Sequence, residues 1–463
     1  MHEDESSLHT VAEGHRIHSD SQIKSKLIPW RERLAYKARK PTKETFNNLL
    51  HHLTPDLVTE CLKKIPSRSA PGIDGMSVKQ AKKNGSWLIK PALEEIHKGK
   101  YKAPPVKRVH IPKANGKTRP IGISTVLDRA IQAGAAEILN EIYEPIFLDC
   151  SYGFRRERSC HQALLATGRE MLGGYAKLCL EVDIRDFFGS LRHDWLNRFL
   201  RDRISDERFL KLIETWLKAG IMEEGIITKS ETGTPQGGCV SPILANIYLH
   251  YVLDLWWEKK IRPKLKGRSQ LIRYCDDFVI TFETEEEAKE VIILLKARFA
   301  QFGLTLADEK THITQFKQEQ KKENTARRTI SFLGFSIILH RNPPGSFYEW
   351  QLLFRTDAKR FTRGKRSVAE LLLSILHLPL KAQASFLNSV LRGHFNYYGL
   401  PGNGKKLQAF RNHVVKTWRW SLGRRSQRGR INWVEMNNIL KRYPLVAAKL
   451  KIKSWDLHCF NHM

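Results

Sequence analysis

The sequence is short of acid. Asp and Glu number 48 against 78 Lys and Arg, a net charge of +30 over 463 residues. A positive field of this size points to a polyanionic partner, nucleic acid ahead of an anionic membrane surface. Cysteine is sparse and scattered: Cys61, Cys150, Cys160, Cys179, Cys239, Cys275 and Cys459, no two at CxxC spacing. That pattern excludes a zinc ribbon and a disulfide framework and fits a reducing, intracellular setting. Long apolar runs are missing. The longest, near Leu371 to Leu380, is broken by Ser374, His377 and Pro379, well short of the roughly 20 residues a membrane span needs. The first 25 residues are polar and hold no apolar signal core, so a cytoplasmic protein is expected, with no membrane partner. Gly and Pro, 29 and 19 residues, are too few for a collagen-like chain. What is present is 41% apolar residues, enough to build sizeable cores, and at about 100–200 residues per domain the chain should hold two to four domains.

The charge is uneven. Residues 341–463 hold 23 Lys and Arg and 5 Asp and Glu, a balance of +18, which leaves +12 for the first 340. The densest stretch runs from Arg419 to Arg430. Alone it could be a solvated basic face. The interleaved Trp418, Trp420 and Trp433 favour a surface for single-stranded RNA, where guanidinium groups neutralise phosphates and aromatic rings stack on bases.

Periodicity predicts helices over residues 43–66, 78–98, 125–143, 160–173, 192–219, 237–259 and 284–302. Val106 to Ile111 alternates as a strand, stops at Pro112, and is expected to return over Arg119 to Ile123 through an Asn115-Gly116 turn. Leu178 to Ile184, Leu271 to Thr281 and Phe332 to Leu339 read as β structure, residues 317–328 as a polar loop, and the chain beyond about residue 355 as helical and basic.

Three acidic residues stand in apolar surroundings. The segment Leu178-Cys179-Leu180-Glu181-Val182-Asp183 delivers Asp183 at the end of a buried strand, and Tyr274-Cys275-Asp276-Asp277-Phe278-Val279-Ile280 sets two carboxylates side by side between apolar residues. Asp is disfavoured in strands and adjacent like charges repel. A divalent cation resolves the conflict, since hard oxygen ligands suit Mg²⁺. The Asp-Asp pair alone could equally be an ordinary hairpin turn. Between the two acidic segments lies Gly233-Thr234-Pro235-Gln236-Gly237-Gly238, a loop whose backbone can approach a ligand closely before a helix begins.

With these motifs in view, the sequence resembles bacterial group II intron reverse transcriptases with a maturase domain, over about residues 30–445. Tyr274-Cys275-Asp276-Asp277 resembles the polymerase YxDD box, and Asp183 with Phe187-Phe188 resembles the first palm carboxylate and its gate. Thr234 to Gly237 resembles the nucleotide and template loop, Ala70 to Gly75 an N-terminal signature, and Ile111 to Ile123 the fingers hairpin. Ser151 to Arg155 resembles a further signature, Phe332 to Phe335 the strand at the primer grip, and Leu391 to Gly399 with Trp418 to Arg430 the maturase thumb. The chain departs from the pattern in reading Asp186-Phe187-Phe188-Gly189 where Gly-Phe-Phe-Asp is commoner, in placing Cys275 in the variable YxDD slot, and in lacking a Pro-rich ending after about Leu445. The resemblance is to members without a Cys/His-rich endonuclease module, so autonomous second-strand cleavage is not expected.

The resemblance implies an α/β right-hand polymerase, fingers and palm with an antiparallel sheet, followed by an α-helical thumb/maturase domain and a basic C-terminal region. The expected limits are a disordered start over 1–30, N-terminal extension and fingers over 31–175, palm over 176–345, thumb/maturase over 346–430, and a DNA-binding-like segment over 431–463. It implies RNA-directed DNA synthesis with two Mg²⁺ ions, Mn²⁺ as substitute, held by Asp183, Asp276, Asp277 and the carbonyl of Ile184. Lys113 and Arg119 are expected at the triphosphate, Phe188 under the sugar and Gln236 near the incoming nucleotide. Arg392, Asn396 and Tyr397, with Arg424, Arg425, Arg428 and Arg430, are expected at nucleic acid. The implied partners are group II intron RNA, template RNA, primer or target DNA, and dNTPs, in splicing and in retrohoming by target-primed reverse transcription. Two alternatives share much of this pattern: a domesticated reverse transcriptase in DNA repair or phage defence, and a splicing-only maturase.

Overall fold

The computed structural model describes residues 21–40, 45–112, 118–223, 226–228, 233, 237–316, 329–346, 349–425 and 429–452. A helix already begins at Ser21 and runs to Arg39, within the stretch expected to be disordered through residue 30. Its reason is a stripe at i, i+4, i+8: Trp30, Leu34 and Ala38 are buried on the face that meets the helix Val126–Tyr143. Two expected helices are divided by their caps. Helix Pro55–Lys64 starts only where Thr54 accepts from the Leu57 N–H with Pro55 at the first turn. Residues 192–219 split into His193–Arg201 and Glu207–Leu217. Between them the buried Asp206 carboxylate caps the second helix through Arg208 and Phe209 N–H groups and accepts from Leu49 and Leu50 N–H as well.

Eleven strands are described: β1 (Val106–Pro112), β2 (Thr118–Ile123), β3 (Leu178–Val182), β4 (Ile221–Glu223), β5 (Ile226–Thr228), β6 (Gln270–Tyr274), β7 (Asp277–Phe282), β8 (His312–Gln315), β9 (Ile330–Phe332), β10 (Phe335–Arg341) and β11 (Trp350–Thr356). They form three sheets, in the orders β2-β1-β4-β5, β6-β7-β3-β8 and β11-β10-β9. The second is antiparallel throughout, whereas the first is mixed: β1 pairs with β2 antiparallel and with β4 in parallel, a departure from the antiparallel sheet expected of the fingers. Strand β3 separates two cores: Leu178, Leu180 and Val182 face a helical core, while Cys179 faces a smaller one shared with β9, β10 and β11.

The strand expected over Phe332 to Leu339 is instead a hairpin. Leu333 and Gly334 both adopt positive φ, +50° and +79°, the pattern of a type I′ turn. Strand β11 pairs with β10 along its whole length, so the third sheet runs past residue 345, the expected end of the palm. Helices Ala358–Ser374, Leu380–Tyr398, Gly404–Gly423 and Trp433–Arg442 follow. Met436 and Leu445 share the core of the first three, which joins the described part of the expected C-terminal segment to the helical unit. Trp418 is fully buried in that core, on the stripe Phe410, Val414, Trp418, Leu422, and its Nε1 donates to Gln383. It is therefore a packing residue and is unavailable for stacking on RNA, whereas Trp420 and Trp433 are exposed. Among the described residues no helix is long and apolar enough to cross a membrane.

Candidate active site

The register of the central sheet sets Asp183 beside Asp277, with Asp276 in the adjoining turn. Val182 pairs with Phe278, so one step further along the antiparallel ladder Asp183 stands opposite Asp277. Asp276 occupies the two-residue turn between β6 and β7, closed by the Tyr274–Asp277 pair. The other turn residue, Cys275, has φ +60°. Asp183 and Asp277 line one cleft, with Glu181 and Lys310 beside them. The Lys310 ammonium lies 2.5 Å from Asp183 Oδ2.

Asp277 is exposed at the surface of this cleft, yet protein crowds it from below. Desolvation first, then the Asp276 and Asp183 charges, raise its carboxyl to about 6, against the pull of Arg360 and Lys310. A bound divalent cation would offset the repulsion of the two like charges. The donor set suits a hard divalent ion in kind: carboxylate oxygens with excess negative charge. Among the described residues, however, no three His, Cys, Asp or Glu side chains converge into a ligand cluster.

Ile184 forms a bridge with Leu306 whose hydrogen bonds are made by its neighbours, Ala307 N–H to the Asp183 carbonyl and Arg185 N–H to the Thr305 carbonyl. The Ile184 carbonyl is thereby turned to the opposite edge, the β7 side. Phe187 is buried and Phe188 half-buried, their rings edge to face at 5.3 Å. Asp186 holds a left-handed conformation, φ +41°, and its carboxylate fills the space a Cβ on Gly189 would need. The Asp-Phe-Phe-Gly order is thus internally compensated. Gly233 packs against the carbonyls of Phe188 and Gly189, and Gly237, at φ +117°, against the Gly122 carbonyl of β2. These two contacts tie both ends of the loop carrying Gln236 to the site. Gln236 itself, Lys113, Arg428, the Asn115-Gly116 turn and loop 317–328 lie outside the described residues, and Arg119 is described only as a backbone partner of Ile111.

The expected nucleic-acid residues separate. Arg392, Asn396, Arg424 and Arg430 are exposed, and Arg424 lies over the exposed Trp420 ring at 4.8 Å. Arg425 is exposed too, but it donates to the Leu376 and Leu378 carbonyls. Tyr397 donates from its hydroxyl to the Leu333 carbonyl at 2.8 Å and stacks on Phe335.

Sequence reasoning passed over Glu181, Lys310, Arg360 and Arg273. Glu181 is buried two residues before Asp183. It accepts from Thr314 Oγ1 and Ser331 N–H, and so joins β9 to β3 and β8. Arg360 reaches the cleft from helix Ala358–Ser374 and lies over Gly334. The signal for Arg273 was a guanidinium in the apolar strand Leu271-Ile272-Arg273, the same anomaly that singled out the Asp pair.

Comparison with known proteins identifies the family. A family model described as reverse transcriptase (RNA-dependent DNA polymerase) matches residues 111–337. The chain is 30% identical over 452 residues to group II intron-encoded protein LtrA of Lactococcus lactis subsp. cremoris, covering 82% of this chain and 75% of that protein. It is 32% identical over 253 residues to protein YkfC of Escherichia coli (strain K12), 48% of this chain and 66% of that one. An uncharacterized 91 kDa protein in the cob intron of Schizosaccharomyces pombe is 27% identical over 409 residues, 74% of this chain and 48% of that protein. A positively charged chain with paired strand-end carboxylates, matching such relatives over most of its length, belongs to the group II intron-encoded proteins and is an RNA-directed DNA polymerase.

Proposed function

We propose that the chain is a right-hand polymerase whose palm is the sheet β6-β7-β3-β8 with the adjoining β9–β11, whose fingers include β1 and β2, and whose thumb is the helical unit from Ala358 onward. The observation that carries this reading is the register that sets Asp183 opposite Asp277, with Asp276 in the adjacent turn. Asp183, Asp276, Asp277 and the Ile184 carbonyl would hold two Mg²⁺ ions, or Mn²⁺ in their place. Bound there, such ions activate a primer 3′-hydroxyl and stabilise charge on departing pyrophosphate.

The chain's own task is placement. The rigid β3–β7 pair fixes the carboxylates. Phe188, held by Phe187 behind it and the Gly233 contact beside it, forms the floor for the nucleotide sugar and rejects a 2′-hydroxyl. Lys113 and Arg119 hold the triphosphate, and Gln236 the incoming base pair. Arg392, Asn396, Arg424, Arg428 and Arg430 bind RNA or target-DNA phosphates. Tyr397 and Arg425 spend their hydrogen bonds on the protein, and we assign both to docking and bracing the helical unit.

The protein then binds its intron RNA, assists its splicing, and copies it at a nicked target. The test is splicing of the flanking intron transcript at low Mg²⁺ with and without the protein. Stimulated splicing together with primer extension on RNA is expected. Polymerase activity without any stimulation would instead indicate a domesticated enzyme.

A further inference from the structure

Beneath the turn that carries Asp276 lies a guanidinium with no access to solvent. Arg273 and Asp254 are both completely buried. All five N–H bonds of Arg273 are used. Nε and Nη2 form a forked pair with the Asp254 carboxylate at 2.7 and 2.5 Å. Nη2 also donates to Ser151 Oγ at 2.8 Å, and Nη1 donates to Asn246 Oδ1 at 3.1 Å and to the Cys275 carbonyl at 3.0 Å.

The acceptors come from three separate places in the chain. Asp254 ends a π-helical turn, His250–Asp254, a rare local geometry found often at functional sites. Ser151 bridges to β6 beside Arg273, with Arg273 N–H donating to the Cys150 carbonyl and Tyr152 N–H to the Arg273 carbonyl. Asn246 also donates from Nδ2 to the Gly153 carbonyl at 2.7 Å. Gly153 lies so close to the turn that a Cβ would run into the Cys275 backbone N and Sγ.

We propose that Arg273 is a positioning residue for polymerisation. Through the Cys275 carbonyl it holds the left-handed Cys275 conformation, and so fixes where the Asp276 and Asp277 carboxylates stand. Asp254, Asn246 and Ser151 orient the guanidinium, and Gly153 closes the turn from the other side. A buried ion pair is a costly way to gain stability alone, since well-packed apolar residues of similar volume often do as well. What this one adds is a fork of fixed geometry that a Lys ammonium cannot reproduce. The inference rests on Asp276 and Asp277 being the catalytic carboxylates.

The experiment compares wild type, Asn246→Ala, Arg273→Lys, the charge-free double variant Arg273→Met/Asp254→Leu, and Asp277→Ala. Each is measured for melting temperature, single-turnover dNTP incorporation on a primed RNA template across a Mg²⁺ titration, and Mn²⁺ affinity by electron paramagnetic resonance with primer–template bound. The expected result for Asn246→Ala, which keeps the ion pair, is a folded protein of lowered melting temperature, since two buried hydrogen bonds are lost, with at least tenfold slower incorporation, unchanged primer–template affinity and weaker Mn²⁺ binding. The double variant should behave likewise if it folds, and Arg273→Lys should fail to rescue the rate. Variants that fold and show wild-type rates and Mn²⁺ affinity, with Asp277→Ala inactive, would overturn the positioning role alone. An active Asp277→Ala would overturn the catalytic assignment beneath it.

Discussion

Asp277 opens a strand in which every following residue is buried, and its carboxyl is raised to about 6 by its surroundings and two like-charged neighbours. An acid whose folded pKa is raised binds more protons folded than unfolded, so stability falls as pH rises from about 4, its unfolded value, to about 6. Without divalent ions, Asp277→Asn should therefore melt higher than wild type above pH 6. The gain should vanish below about pH 4, and polymerase activity should be lost. Thermal melts across pH in a chelator check this, and equal melting at pH 7.5 would show that the carboxylates do not strain one another. Asp183, Asp276 and Asp277 stand out as candidates in the sequence because charged residues in apolar segments demand a reason. Lys310 does not, because an exposed Lys in a polar turn is ordinary until the fold sets it on Asp183.

Among the elements, hairpins with unusual turn residues carry the site. Leu333 and Cys275 take positive φ, where Gly or Asn is normally chosen, and so the β9–β10 turn gave no signal and was read as continuous strand. The β6–β7 turn was read as a hairpin from its Asp pair, but Asp277 proves to be the first strand residue. The Thr54-Pro55 cap is a local signal that apolar periodicity alone runs past, whereas Asp206 acts partly across the fold, on Leu49 and Leu50, which a local pattern does not show. At the loop between β5 and the helix Ser241–Leu249, Gly237→Ala should raise KM for dNTPs about tenfold with little change in RNA affinity, because both its φ and the Gly122 carbonyl oppose a side chain. An unchanged KM would separate that loop from nucleotide binding. In the helical unit, His394 stacks on Phe410 at 3.8 Å and desolvation lowers its pKa to about 4. A depressed His pKa gives stability that is lost as pH falls from about 6.5 through 4. His394→Phe should remove on the order of 1 kcal/mol of that acid sensitivity, after allowance for its partial exposure, and urea titrations at pH 7 and pH 5 measure it.

For the molecule as a whole, charge and topology divide the labour. The sheet region holds the three candidate carboxylates, while the last quarter of the chain holds +18 of the net +30 charge. The basic helical tail and the α/β centre were readable from composition and periodicity. The third sheet's extension to Thr356 and the joining of Met436 and Leu445 to the helical core were not, since both depend on pairings distant in sequence. If Arg424 and Arg430 bind phosphates, replacing each with Gln should lower the slope of log affinity against log salt by about 0.7–0.9 per lost contact. Polymerase rate at saturating template should stay near wild type.

The most direct test is single-turnover primer extension on an RNA template with Mg²⁺, comparing wild type with Asp183→Asn, Asp276→Asn and Asp277→Asn at matched RNA occupancy. Three variants that bind RNA as wild type does and incorporate dNTPs at least a thousandfold more slowly, roughly 4 kcal/mol in the barrier, are the predicted result. Wild-type incorporation by any one of them would contradict the assignment of that carboxylate to the reaction.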